Sequence, residues 1–314
     1  MVLRALGLGD LLTAVPALRA LATAFPDHRK VLATSAALEP LVRLSATVDE
    51  VVDVAPLTTL DDSLVGADVA VNLHGRGPES HRVLLDSAPR RLIAFAHPDV
   101  EESAEGPSWS STEHEVMRWC RLLRDSGVPA DPTALDLPTP PRPPPPGVEG
   151  ATVIHPGAAS GARRWPPERW AAVARHERGQ GRTVVVTGSA GERLLAREVA
   201  EMAGLPAPAV LAGRTDVLGL ASVVAAAGMV LCGDTGVAHL ATALGTPSVV
   251  LLGPVPPSQW GPPPDRPRHV ALWAGRLGDP HGTEPDPGLL RISVDDVCAA
   301  LAQAGPITST IRST

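Results

Sequence analysis

A run of prolines near the middle of the 314-residue chain limits most strongly what it can fold into. Seven of the nine residues from Pro138 to Pro146 are proline. Because proline lacks a backbone N–H and has a fixed φ, such a run cannot lie in a helix or an inner strand and is typical of a stiff, extended linker. The sequence therefore predicts two domains, residues 1–140 and 148–293, joined by a proline-rich linker over 138–147.

Each half alternates short apolar runs with amphipathic segments. In the second half "ATVIHPG", "RTVVVTG", "MVLCG" and "PSVVLLG" are predicted strands, and "PERWAAVARHE" and "TGVAHLATALG" are predicted helices. The first half begins with the strand pattern "MVLRALG" and the helix pattern "DLLTAVPALRALATAF". This alternation predicts an α/β protein with two doubly wound parallel sheets facing a central cleft, and ligands bound beyond the carboxyl ends of the strands. Residues 294–314 are expected to form a terminal helix and a frayed tail.

Charge and residue usage exclude several classes of function. The net charge of −7 argues against nucleic-acid binding. No stretch approaches the roughly 18 apolar residues of a membrane span, and the first residues carry no secretion signal. We therefore expect a cytoplasmic protein, for which peripheral membrane contact stays possible. Lys30 is the only lysine and tyrosine is absent, which excludes a Walker phosphate loop and a tyrosine acid or base. The three cysteines are expected to be free thiols.

The stretch "GLGD" at 7–10 follows the first predicted strand. Asp10 lies where a helix begins, so it is either the N-cap or a general base that accepts a proton from a substrate hydroxyl. Taken alone, the motif favours the cap. It is not a dinucleotide fingerprint, because the third glycine is missing and the strand "KVLATS" has no acidic residue. Pro16 predicts a kinked or separately formed first turn of this helix.

Two motifs of the second half carry polar groups after a strand. In "HPGAASGARRWPPERW" at 155–170, the loop residues Arg163 and Arg164 suit phosphate oxygens, or are a solvated basic turn. In "VTGSAGER" at 186–193, the strand ends at Thr187 and Gly188. Glu192 then falls in the first turn of a helix, where it either interacts with the helix dipole or accepts hydrogen bonds from ribose hydroxyls.

The segment "GDTGVAHLATALGTP" at 233–247 is apolar except near its start. Asp234 is predicted to cap a helix beginning near Gly236, whose free N–H groups form an anion site. Thr235 and His239 are four residues apart and share one helix face. His239 is either a core residue or a ligand-binding group. The histidines show no metal-ligand spacing and no Asp-x-Asp pair occurs, so no metal is expected.

Together these motifs resemble glycosyltransferase family 9, the heptosyltransferase family of lipopolysaccharide core synthesis. The resemblance implies a GT-B fold of two Rossmann-like domains, with acceptor bound mainly by the first and nucleotide sugar by the second. In that fold the last helix usually crosses back to the first domain. The similar stretches are "LGDLLTAVPALRAL", "EHEVMRWCRLL", "HPGA", "RRWPPERW", "TGSAGER", "GDTGVAHLATALGTPSVVLLGP" and "ISVDDVCAAL".

The resemblance also implies the reaction. It is an inverting transfer, without metal or other cofactor, from a nucleotide-diphosphate sugar to a hydroxyl of a glycan or small-molecule acceptor. The resemblance implies ADP-heptose as the donor and heptose as the transferred sugar. Asp10 would be the base, Arg163 would contact the donor phosphates, and Glu192 would hold the ribose. The other donor-side candidates are Thr187, Gly188, Asp234, Thr235, Gly236 and His239, and the acceptor-side candidates are Gly9, His74 and Arg76.

Two points leave alternatives open. In "LHGRGPES" the lipopolysaccharide enzymes tend to place a basic residue before the serine, whereas Glu79 stands there in this chain. A cell-envelope glycan or a small metabolite is therefore as plausible an acceptor as a charged lipid-linked sugar. A Rossmann-type epimerase or oxidoreductase is disfavoured by the missing glycine and tyrosine, and a non-catalytic nucleotide-sugar binding protein stays possible.

Overall fold

The computed structural model describes residues 1–305. The chain divides into two compact units, the first Met1–Leu137 and the second beginning at Pro138. The division falls at the first proline of the predicted linker, and residues 138–147 form neither helix nor strand. The predicted frayed tail lies from residue 306 onward, outside the described residues.

The first unit is built around a five-stranded parallel sheet of order β3-β2-β1-β4-β5. Its strands are short and apolar because helices cover them, and Leu3, Val31 and Ala70 lie in the core. The strands are β1 Val2–Leu3, β2 Val31–Thr34, β3 Glu50–Asp53, β4 Ala70–Asn72 and β5 Leu92–Ile93. The helices are α1 Leu8–Ala24, α2 Glu39–Ser45, α3 Glu79–Leu85 and α4 Glu115–Asp125.

Helix α1 continues through Pro16 as one helix, so the predicted separate first turn is wrong. The proline removes one backbone hydrogen bond, but residues 11–18 are buried and α1 packs against α4, so tertiary contacts hold the helix together.

Lys30 lies at the amino edge of this sheet, where the strands begin. It precedes β2, and its Nζ lies 3.1 Å from Asp49 Oδ2.

The second unit contains a second five-stranded parallel sheet, of order β10-β9-β8-β6-β7. Trp165 and Trp170 are buried in its core with ring centroids 5.2 Å apart. The strands are β6 Thr152–His155, β7 Val184–Val186, β8 Met229–Gly233, β9 Ser248–Leu252 and β10 His269–Trp273. The helices are α5 Pro167–Gly179, α6 Arg193–Met202, α7 Val217–Ala226, α8 Gly236–Leu244, α9 Pro257–Trp260, α10 Pro287–Leu290 and α11 Val294–Ala304.

The terminal helix α11 begins after Ser293, whose Oγ accepts a hydrogen bond from the N–H of Asp296. It packs on α5 and on strands β9 and β10 of the second unit. Val297, Ala300 and Leu301 of this helix are buried in the second core.

Two further features concern the whole described chain. Cys120 and Cys232 are buried free thiols, and Cys298 is a half-buried one. Among residues 1–305, none of the helices combines the length and the apolar character that crossing a bilayer requires.

Candidate active site

Asp10 lies in the first turn of α1, at the carboxyl edge of the first sheet. The N-cap of α1 is Gly7, so Asp10 is the third helical residue and not the N-cap that the motif alone favoured. Its Oδ2 accepts a hydrogen bond from the N–H of Gly7 at 3.2 Å. The side chain is 29% exposed. Asp10 thus stabilises the helix start and still presents carboxylate lone pairs to solvent.

A buried guanidinium supports this carboxylate. Arg4 is 1% exposed, and its Nη2 lies 3.3 Å from Asp10 Oδ1 and 3.0 Å from Glu115 Oε1. Its Nε donates to the backbone carbonyl of Asp10 at 2.9 Å, and its Nη1 donates to that of Leu73. Glu115 also accepts hydrogen bonds from Trp119 Nε1 and from Arg118. A buried charge network therefore fixes one side of Asp10. The sequence motifs did not reveal it.

The surroundings tune the basicity of Asp10. Burial raises the pKa of the carboxyl above its ordinary value, the positive charge of Arg4 opposes this, and the negative charge of Glu115 adds to it. The net shift is upward. A carboxylate with a raised pKa is a stronger base, which suits a group that accepts a proton in a transition state.

His74 follows β4, the neighbour of β1 in the sheet. The N–H of Ala5 donates to its Nδ1 at 3.2 Å. The Oδ1 of Asn72 accepts from the N–H groups of His74 and Gly75, at 2.8 and 3.3 Å, which fixes the loop. Burial and the nearby charge of Arg4 lower the pKa of His74 to about 4.

The two other acceptor-side candidates are Gly9, next to Asp10 in the sequence, and Arg76, two residues after His74. Gly9 is in the first turn of α1 next to Asp10, and Arg76 is exposed on the loop after His74. The structure thus brings Asp10, Gly9 and His74 to neighbouring strand ends.

In the second unit, Glu192 sits at a short 3-10 turn after β7. Its Oε2 accepts from the N–H of Ser189 at 2.7 Å. A Cβ on Gly157 would lie 2.1 Å from Glu192 Oε1, so a larger residue at 157 would displace this carboxylate. Although burial acts to raise the pKa of Glu192, the hydrogen bonds from Ser189 and the neighbouring His155 and Arg164 hold it below its ordinary value. Glu192 is therefore an anion suited to accept hydrogen bonds from hydroxyl groups.

Thr187 and Gly188 line the loop that leads to Glu192. The Thr187 hydroxyl is buried 3.0 Å from Nδ1 of His155, at the end of β6, so it stabilises two adjacent strand ends. A Cβ on Gly188 would lie 3.2 Å from the Cβ of Ala212. These residues shape the loop. His155 contacts Thr187 at the same sheet edge, although the sequence analysis assigned His155 no role.

Arg163 and Asp234 form an ion pair at the carboxyl ends of β6 and β8. Nη1 of Arg163 lies 3.7 Å from Asp234 Oδ2 and donates to the Asp234 carbonyl at 3.3 Å. The N-cap position of α8 is Thr235, one residue after the predicted Asp234, and the Thr235 side chain makes no capping hydrogen bond. Gly233 lets the Arg163 backbone approach this turn: a Cβ there would lie 3.1 Å from the Arg163 carbonyl oxygen.

The first turn of α8 follows directly. The Thr235 Oγ1 is buried and, apart from the weakly bonding Cys232 thiol, has no hydrogen-bond partner among residues 1–305. Gly236 begins the helix, and the ring of His239 packs edge-on to Trp260 with centroids 5.7 Å apart. A helix N-terminus next to an arginine favours an anion.

No cluster of three or more His, Cys, Asp or Glu side chains in the described chain is arranged to hold a metal ion.

The family model described as glycosyltransferase family 9 (heptosyltransferase) matches residues 110–281. No curated protein sequence matches the chain at a significant level.

Three similar solved structures cover almost the whole chain. A glycosyl transferase family 9 protein from Veillonella parvula is 19% identical with a TM-score of 0.77, over 96% of this chain and 95% of that one. The ADP-heptose lipopolysaccharide heptosyltransferase II of E. coli is 20% identical with a TM-score of 0.76, over 96% and 97%. The E. coli heptosyltransferase WaaC with ADP is 17% identical with a TM-score of 0.71, over 97% and 99%. At such identities they show the fold, two parallel-sheet α/β domains of the GT-B class. With more than half of its residues matched by the family model, the chain belongs to glycosyltransferase family 9 and is a glycosyltransferase.

Proposed function

We propose that the protein transfers a heptose from ADP-heptose to a hydroxyl group of a glycan or small-molecule acceptor, with inversion and without a metal. The observation that carries the proposal is the anion site of the second unit, where the N-terminal turn of α8 lies beside Arg163. The ADP in the similar structure of WaaC supports the choice of nucleotide. Donor and acceptor are the proposed partners, nucleic acid is not one, and the proposed place of action is the cytoplasm.

The donor side would work as follows. The diphosphate accepts hydrogen bonds from the first N–H groups of α8 and from Arg163, and Glu192 accepts them from the ribose hydroxyls. Asp234 and His239 face the transferred sugar. As the bond between the sugar and the diphosphate breaks, negative charge grows on the leaving oxygen, and fixed donors there stabilise the transition state. In this mechanism a guanidinium and a helix terminus supply the positive field, so neither a metal nor another cofactor takes part.

Asp10 would act on the acceptor. The acceptor oxygen attacks the anomeric carbon from the face opposite the leaving group, its proton passes to Asp10, and the nucleoside diphosphate leaves. The anomeric configuration is thereby inverted. Proton transfer must accompany attack, because a carboxylate is too weak a base to ionise a sugar hydroxyl beforehand. The raised pKa of Asp10 supports this role.

The donor is tested by measuring thermal stabilisation and calorimetric titration with ADP, UDP, GDP and CDP and their sugars. We expect ADP and ADP-heptose to bind most tightly. Equal weak binding of all four nucleotides, or none, would contradict the donor assignment.

The base is tested with Asp10→Asn. Loss of a positioned general base lowers rates about 10²–10⁴-fold, so release of ADP from ADP-heptose in the presence of acceptor should fall by that factor. Affinity for ADP should stay within a few-fold. The control is Asp27→Asn, which changes an exposed aspartate beyond the other end of α1. Wild-type turnover of Asp10→Asn would remove Asp10 from the mechanism.

A further inference from the structure

The ring of His74 has a defined hydrogen-bonding state. Because the Ala5 N–H donates to Nδ1, that nitrogen carries a lone pair, and the proton of the neutral ring is on Nε2. None of the residues that the structure describes accepts a hydrogen bond from this Nε2–H. The residue is half-buried, so the ring reaches solvent from a fixed loop.

His74 and Asp10 lie side by side at the sheet edge. Strand β4 ends at Asn72, whose register partner in β1 is Leu3. Neighbouring strands are about 4.8 Å apart. Arg4 links the two sites, because it donates to the carbonyl of Leu73 and contacts the Asp10 carboxylate. The edge therefore presents a hydrogen-bond acceptor, Asp10, next to a hydrogen-bond donor, His74.

The loops that follow β4 and β5 carry more acidic than basic side chains. Arg4 and Arg118 are buried and paired with Glu115, and Arg121 is paired with Glu113. The loop between Ile93, at the end of β5, and Glu115, at the start of α4, contains no arginine or lysine. Glu115 contacts Arg4. The exposed acidic residues of that loop are Asp99, Glu101, Glu102 and Glu105. In the loop after β4, Arg76 is accompanied by Glu79 at the start of α3.

We propose that His74 donates a hydrogen bond from Nε2 to the acceptor, and that the acceptor is an uncharged sugar or polyol with adjacent hydroxyl groups. The inference rests on the proposed function. One hydroxyl gives its proton to Asp10, and the oxygen of its neighbour accepts from His74. An anionic acceptor would meet loops in which the carboxylates outnumber the one arginine, Arg76. Burial and Arg4, which lower the pKa of His74 to about 4, keep the ring neutral at physiological pH.

The state of the ring is measured by NMR on protein with nitrogen-15-labelled histidine, with His74→Gln identifying the signal. We expect a neutral ring protonated on Nε2 between about pH 5 and pH 8. A ring that is protonated on Nδ1, or positively charged at about pH 6, would overturn the proposal.

The acceptor class is measured with matched pairs that differ in one carboxylate, methyl glucoside against methyl glucuronide and sorbitol against gluconate, with ADP-heptose as donor. We expect the neutral member of each pair to accelerate ADP release about tenfold more, the factor that corresponds to 1.4 kcal/mol. Equal rates within the pairs, or faster release with the acids, would overturn the proposal.

The residue is tested with His74→Leu and His74→Gln, with His28→Leu as the control at the opposite edge of the sheet. We expect His74→Leu to raise the KM for the neutral acceptor about tenfold, roughly one hydrogen bond. In His74→Gln the amide N–H should restore part of the lost affinity for the acceptor. The affinity for ADP should be unchanged in both variants. An unchanged KM in His74→Leu would overturn the proposal. If instead the wild type binds no ADP, the proposed function itself fails. If His74→Leu does not fold, the proposal is tested by the protonation state of the His74 ring in the NMR experiment and by the KM of His74→Gln for the neutral acceptor.

Discussion

The two sheets support their polar edge residues in different ways. In the first unit Asp10 rests on Arg4, and the other partner of Arg4 is Glu115, 111 residues along the chain. Arg4 and Glu115 are 1% and 5% exposed. In the second unit Glu192 is held by the backbone of Ser189, and Arg163 is 23% exposed at 3.7 Å from Asp234. The charges that support Asp10 are thus buried in the core of the first unit, whereas Arg163 in the second unit is itself partly exposed and can be reached by a ligand.

The largest effect should come from breaking the buried network. Glu115→Gln keeps the shape of the side chain but removes the ion-pair partner of the buried Arg118 and leaves Arg4 with Asp10 alone. Breaking a buried pair in this way costs about 3–5 kcal/mol. We expect the free energy of unfolding of the first unit, from denaturant titration, to fall by about that amount. Glu50→Gln breaks the exposed pair with Arg29 and should cost less than about 1 kcal/mol. Equal losses in the two variants would show that the buried network stabilises the first unit no more than an exposed ion pair does.

The corresponding change in the second unit should affect binding instead of stability. Arg163→Ala removes charge-assisted hydrogen bonds worth about 1.5–3 kcal/mol, so the affinity for ADP should fall about 10–100-fold. Its unfolding should stay close to that of wild type. Arg175→Ala, on the exposed side of α5, is the matched control. Calorimetry that gives the same ADP affinity for all three proteins would refute the diphosphate site.

A smaller effect is expected from Gly157→Ala. The new Cβ would lie 2.1 Å from Glu192 Oε1, so the carboxylate must move away from its position over the loop. Losing one hydrogen bond to a charged group, about 1.5 kcal/mol, should weaken ADP binding about tenfold. Gly179→Ala is the control, because nothing lies within 4 Å of its added Cβ. ADP binding by Gly157→Ala that equals the control would mean that Glu192 does not contact the nucleotide.

Much of the second unit could be predicted from the sequence. Each of its polar motifs follows an apolar run, and strand ends of a parallel sheet meet at one edge, so Arg163, Glu192 and Asp234 had to lie near one another. The N-cap position of α8, Thr235, falls one residue after the predicted Asp234, a difference smaller than the precision with which sequence patterns place helix ends. His155 was missed because only the fold brings it to Thr187.

The first unit was less predictable. Asp10 could be singled out from "GLGD", but the residues that set its pKa come from β1 and α4, and no local pattern relates Arg4 to Glu115. Strand β5, Leu92–Ile93, is too short to give a periodic signal. Pro16 argued for a broken helix, and only the burial of α1 against α4 explains why it continues.

Lys30, paired with Asp49 at the amino edge of the first sheet, has a practical consequence. It is the only lysine side chain, and the amine of Met1 is bonded to the Val69 carbonyl at the same edge. Amine-coupling chemistry would therefore tether every molecule by the edge opposite Asp10. Surface-based binding measurements would then sample one uniform orientation, and a dye on Lys30 would report from outside the proposed acceptor site.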